Sequence, residues 1–148
     1  MEARVNIRHL RPEQAMLAFP LIREVLAYPT ADAWRSLALK LTDRGSRNDI
    51  SSGIVVAERH GVPRGLFTYE LTDGGEPTRH LLVRNFVVME PVKRKDSARV
   101  LFDHMRELAH ELACPEINVD LPLVSGWVRN YWDEFTRSEP GIVFRCPN

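Results

Sequence analysis

One change of period constrains this chain more than any other feature. It falls inside Val83-Arg84-Asn85-Phe86-Val87-Val88-Met89-Glu90-Pro91-Val92-Lys93-Arg94-Lys95-Asp96-Ser97-Ala98-Arg99 and the residues that follow. Phe86, Val87 and Val88 are strand formers and read as a buried strand. Lys93-Arg94-Lys95 makes a basic turn, after which Val100, Leu101, Met105, Leu108, Ala109 and Leu112 recur at helical spacing. Strand, cationic turn and helix N-terminus in that order form an anion site. The first N–H groups of a helix have no partner within it, and the macrodipole favours negative charge there. The competing reading of the same residues is a solvated strand–helix connection.

Around this stretch the pattern alternates between the two periods. Arg4 to Leu10 carries Val5, Ile7 and His9 on one face and reads as an edge strand. Arg11-Pro12-Glu13-Gln14 starts a helix that runs through Met16, Phe19, Ile22, Val25 and Leu26, with Pro20 dividing or kinking it. Thr30 caps a second helix bearing Trp34, Leu37, Ala38 and Leu41. Arg44 to Ser52 is a polar loop. Ile54 to Glu58 and Gly65 to Leu71 make a hairpin around His60-Gly61, and Pro63 argues against a minimal two-residue connection. A turn at 73–77 leads into Arg79 to Met89, the third strand of a meander. A helix over 97–113 stops at Cys114-Pro115, and Ile117 to Leu121 returns as a strand parallel to the one before the helix. Val124 to Phe135 is a last helix and Gly141 to Arg145 a last strand. The order β-α-α-β-β-β-α-β-α-β is α+β: one domain over 1–148, with a mixed, mainly antiparallel sheet flanked by helices.

Composition excludes more than it selects. Lys+Arg and Asp+Glu are 20 each, so no global field draws the protein to nucleic acid or membrane, and any electrostatic function is local. Cys114 and Cys146 lack the spacing of a zinc site or a disulfide framework, which fits a reducing cytoplasm. No apolar run has the length of a membrane span, and the first residues do not read as a signal peptide. The five histidines show no metal-ligand spacing, and Ser51-Ser52-Gly53 lacks the flanks of a nucleophile elbow. Trp34, Trp127 and Trp132 read as core aromatics, since no basic strip accompanies them.

The element order and three sets of residues resemble the GNAT superfamily of acetyl-CoA-dependent N-acetyltransferases, from about Arg4 to Phe144. Val55 to Gly65 resembles its second and third strands with their tight connection. Val88 to Ala98 lies where that family has its pyrophosphate loop, written Arg/Gln-x-x-Gly-x-Gly/Ala. Arg129-Asn130-Tyr131 resembles its late-helix tyrosine. In the loop, Lys93 takes the first place and Ala98 the last, while Asp96 stands where the family has its central glycine. A carboxylate there repels a diphosphate by about 3 kcal/mol at ~5 Å and an effective dielectric of ~20. Lys93, Arg94, Lys95 and Arg99 supply opposing charge. Asp96 reads equally as an ordinary N-cap of the following helix.

The resemblance implies transfer of an acetyl group from acetyl-CoA to an amine of a small molecule or peptide, the acceptor itself being unreadable. Val87 and Val88 would present a strand N–H to the thioester carbonyl, and Lys93, Arg94, Lys95, Asp96, Ser97, Ala98 and Arg99 would form the coenzyme loop. Tyr131 would protonate the leaving thiolate, its alternative being a packing residue between Trp127 and Trp132. Glu70, His80 and Asp120 stand at strand positions that could serve a base, and none is singled out. The alternative function is a GNAT-fold protein that binds a CoA thioester or a partner without catalysis. A further reading, an acetyltransferase acting on aminoacyl-tRNA, is opposed by the neutral overall charge. The closing strand at Ile142 to Phe144 offers an edge for a homodimer.

Overall fold

A computed structural model describes residues 4–26, 30–42, 51–72, 79–90, 95–137 and 141–146. Most of the polar stretch at 44–52, the turn at 73–77, and Lys93 and Arg94 of the basic turn lie outside the described residues.

Six strands form one sheet in the order β1-β2-β3-β4-β5-β6. They are β1 (Val5–His9), β2 (Ser52–Arg59), β3 (Val62–Thr72), β4 (His80–Val88), β5 (Glu116–Val119) and β6 (Val143–Arg145). β1 to β4 pair antiparallel. β4–β5 and β5–β6 are parallel, as the helix–strand return demanded of the first of these pairs. The helices are α1 (Phe19–Ile22), α2 (Ala31–Thr42), α3 (Asp96–Glu111) and α4 (Trp132–Phe135).

Alternation along the strands sorts the core onto two faces. Ile54, Val56, Leu66 and Val87 pack with Leu21, Ile22, Trp34 and Ala38 on one side. Val55, Ala57, Phe67, Leu81, Val83, Phe86 and Val88 pack with Leu101, Phe102, Met105 and Phe135 on the other. Trp34 is fully buried, and its indole N–H donates to Ala15 O at 2.7 Å, tying α2 to the segment before α1. Gly65 is required where β3 passes under α3, because a Cβ there would lie 3.0 Å from both Leu101 Cδ1 and Val87 O.

Several local expectations hold in altered form. The first helix divides into a 3-10 helix, Pro12–Ala18, and the single turn of α1, with Pro20 in the first turn of α1. The last likewise divides into a 3-10 helix, Leu123–Tyr131, and α4. Thr30 caps α2, its Oγ1 accepting from Ala33 N at 3.1 Å.

The hairpin expected around His60-Gly61 is present, and only the longer connection expected from Pro63 is overturned. β2 and β3 are joined by the two residues His60 and Gly61 alone, both at positive φ (55° and 73°). Such a turn matches the twist of the flanking strands. Pro63 is accommodated within β3 because the register shifts between Ala57 and Glu58, so the ladder tolerates its missing N–H.

Candidate active site

β4 is the strand on which the site is built. Its pairing with β5 runs from His80↔Glu116 to Val83↔Val119, and a bond from Asp120 N to Val83 O at 2.9 Å is the last rung. Beyond it the two strands part. The cause lies in β4: opposite Phe67 the register with β3 slips between Leu66↔Val87 and Thr68↔Arg84. Two residues of β4, Asn85 and Phe86, face one of β3, which is a bulge. Asn85 adopts φ 54°, a conformation that asparagine tolerates better than most residues. Thr68 staples the bulge, accepting from Asn85 Nδ2 at 3.0 Å and donating to Arg84 O at 3.2 Å.

The fork so created leaves backbone groups of β4 without a strand partner on the β5 side. Met89 N donates to Arg64 O of β3 at 2.7 Å, so alternation turns the Val87 N–H toward β3 and the Val88 N–H into the fork. Of the two residues expected to present an N–H, Val88 alone does so. Ser125, fully buried, sits opposite: its Oγ accepts from Val88 N at 3.4 Å and donates to Phe86 O at 3.4 Å. Both contacts exceed the ordinary range for such bonds, so Ser125 is a loose occupant.

Tyr131 ends the 3-10 helix Leu123–Tyr131 and is half-buried. Its ring packs between Trp127 and Phe135, at centroid distances of 6.0 and 6.1 Å, and Lys95 Nζ lies 4.2 Å above it. The tyrosine is therefore carried beside the N-terminus of α3, where a cation meets its π-face.

The helix start differs from expectation. Lys95 holds the N-cap position, with no side-chain capping bond, and Asp96 is the first residue of α3. Asp96 is no N-cap; its Oδ2 lies 3.3 Å from Arg59 Nη2, and that tertiary ion pair prevails over the local capping preference. Lys95 and Arg99 direct their ion pairs to Glu134 and not to Asp96. Both bind Glu134, at 3.0 and 2.8 Å, and those bonds hold the Glu134 carboxyl below its ordinary value. Ser97 and Ala98 are fully buried in the first turn of α3. Ser97 Oγ donates to Glu90 Oε1 at 2.5 Å.

Of the three groups considered for a base, Asp120 stands where β4 and β5 part. Glu70 pairs with Leu82 and sits near Arg84, and His80 begins β4 at its other end. Asn85, Ser125, Glu90 and Arg59 were missed as site residues. Only Asn85 left a signal: the inward positions Leu81 and Val83 are followed by Phe86 and Val88, a slip of parity that marks a bulge. Among the described residues no group of three or more His, Cys, Asp or Glu could hold a metal ion, and no helix is long and apolar enough to cross a membrane.

Solved acetyltransferases share this backbone over nearly the whole chain. The fold is that of the GNAT acetyltransferases. An aminoglycoside N-acetyltransferase, AAC(6′)-Iy, solved in complex with CoA, superposes with a TM-score of 0.73 at 12% identity, covering 100% of this chain and 98% of that one. Glucosamine-6-phosphate N-acetyltransferase from Arabidopsis thaliana gives 0.66 at 12% identity over 94% and 95%. Ribosomal-protein-alanine N-acetyltransferase from Brucella melitensis biovar Abortus 2308 gives 0.65 at 19% identity over 88% and 89%. No family model and no curated protein matches the chain. The GNAT likeness is thus one of backbone, carried by very few shared residues.

Proposed function

We propose that this protein is an N-acetyltransferase that moves an acetyl group from acetyl-CoA to an amine of a small molecule or peptide. The fork carries the reading: beyond the bulge at Asn85, the side-chain contact of the Val88 N–H among the described residues is the long one to Ser125. A thioester carbonyl reaching that N–H would be polarised as negative charge develops on its oxygen. The amine attacks the carbonyl carbon in its neutral form, losing its proton to Asp120 or to water held there. The C–S bond then breaks, and Tyr131 gives its proton to the departing thiolate. The CoA bound in the aminoglycoside enzyme of the same fold supports acetyl-CoA as the donor.

A second reading, the GNAT fold without catalysis, is favoured by one observation. Arg59, Lys95 and Arg99, the described cations near the start of α3, are all paired with carboxylates of the chain. The two readings separate in a melting experiment followed by a thiol-release assay. A ligand that binds the folded state raises Tm by mass action. Acetyl-CoA should raise Tm, and a panel of amines should release CoA thiol. No shift at millimolar acetyl-CoA would sink the enzymatic reading.

A further inference from the structure

β1 is the edge of the sheet remote from β5 and β6, and a cleft of about 540 Å³ lies between it and α3. Its walls are Ile7 and His9, two apart on one face of the strand, and Val100, Asp103, His104 and Glu107, at i, i+3, i+4 and i+7 on one face of the helix. The cleft joins two histidines that lie 95 residues apart in sequence, a pairing no local spacing could announce. His9 Nε2 and His104 Nε2 stand 2.6 Å from each other. Two bare imidazole lone pairs do not face one another so closely, so a proton or a cation belongs between them. Behind the pair, Glu107 Oε2 accepts from His104 Nδ1 at 3.2 Å. That bond puts the His104 proton on Nδ1 and leaves its Nε2 lone pair directed at His9. A carboxylate that fixes the tautomer in this way is the usual support of a metal-ligating histidine. His9 is oriented in turn by an edge contact with Tyr69, at a centroid distance of 6.4 Å.

We propose that His9 and His104 form a two-imidazole site for a divalent transition metal of the zinc type, which clasps the edge strand β1 to α3. Bonds of about 2.0–2.1 Å at a tetrahedral angle set the two Nε2 atoms about 3.3 Å apart, so the 2.6 Å pair opens slightly on binding. The exposed His9 ring supplies that movement. His9 binds with its proton moved from Nε2 to Nδ1, and the neutral pair releases no net proton. Among the described residues no third His, Cys, Asp or Glu completes a ligand set, so water in the cleft fills the remaining positions. Imidazole donors favour Zn²⁺ over Mg²⁺, which prefers oxygen.

The test is calorimetric titration of the untagged full chain with Zn²⁺ and with Mg²⁺, beside melting curves. Zn²⁺ at about ten times its Kd should raise Tm by about 3–6 °C, because only the folded chain brings the two rings together. His9→Ala and His104→Ala should each weaken Zn²⁺ binding by at least about tenfold, and Glu107→Ala, which leaves His104 unsupported, by about tenfold. His110→Ala, on α3 but outside the pair, should bind as the wild type does. No Zn²⁺ binding at millimolar concentration overturns the proposal. Affinity unchanged in either of the paired-histidine variants also overturns it, by assigning the ion to a single imidazole or to another place. Equal affinity for Mg²⁺ overturns it too, since the carboxylates of Asp103 and Glu107 would then be the ligands. Should His104→Ala fail to fold, His9→Ala decides alone.

Discussion

The Ser125 hydroxyl bridges two backbone groups of a single strand, the N–H of Val88 and the carbonyl of Phe86, each at 3.4 Å. It stands where β5 would continue if the sheet were not forked. Ser125→Ala leaves both groups without that partner and should cost about 1–3 kcal/mol in the free protein. If a thioester takes the same N–H, saturating acetyl-CoA should recover part of the loss. Melting curves with and without ligand measure this, and an identical deficit in both would remove Val88 from the donor's path.

Tyr131 lies under the Lys95 ammonium at the start of α3 and is the acid of the proposed reaction. Tyr131→Phe keeps the ring and its contact with the cation while removing the proton. Turnover should fall about 10²-fold with coenzyme affinity unchanged, the lower end for a positioned acid. Steady-state kinetics beside direct CoA titration separate the two quantities. A variant as active as the wild type would make Tyr131 a packing residue.

Hydrogen bonds from Lys95 and then Arg99 hold the Glu134 carboxyl below its ordinary value of 4.5. A folded-state value below the unfolded one stabilises the fold at pH above the unfolded value, and that contribution is lost as pH falls through the depressed folded value. Wild-type Tm should therefore decline more steeply than that of Glu134→Gln as pH falls below 4.5. Parallel declines would show that the two pairings contribute nothing to stability.

Ala113 closes α3 in the left-handed region, at φ 56°. Cys114 N reaches back to Ala109 O at 2.8 Å, the bond that helices commonly close with glycine at the preceding position. Ala113→Gly should raise stability by about 1 kcal/mol, measured by denaturant unfolding, because glycine adopts that conformation without the Cβ penalty. A loss of stability would mean that the Ala113 methyl packs more favourably than the strain costs.

The fold was largely legible because its signal is periodic. Val55 and Ala57 against Ile54 and Val56 declare a strand covered on both faces, and Leu101, Met105, Leu108 and Ala109 declare a helix with one buried side. The length of the hairpin's connection was misread because Pro63 was weighed locally, while a bulge two residues from the turn absorbs it. The site was far less legible. Glu90 and Ser97 are close in sequence, yet Arg59 comes from the β2 end and Ser125 from beyond β5. The same distance misled the reading of Asp96, whose partner is 37 residues away.

Every strand of the sheet lies beside its predecessor in sequence, so none has to be threaded between two already paired. The β2–β3–β4 meander can zip by short loop closures, which are entropically cheap and fast. The β4–β5 pair is parallel and cannot form until α3 has carried the chain across the sheet. The fork therefore marks a seam in time as well as in space. On one side lies the portion built from local hairpin contacts, and on the other the portion reached only through α3, so the proposed cleft stands where the two meet.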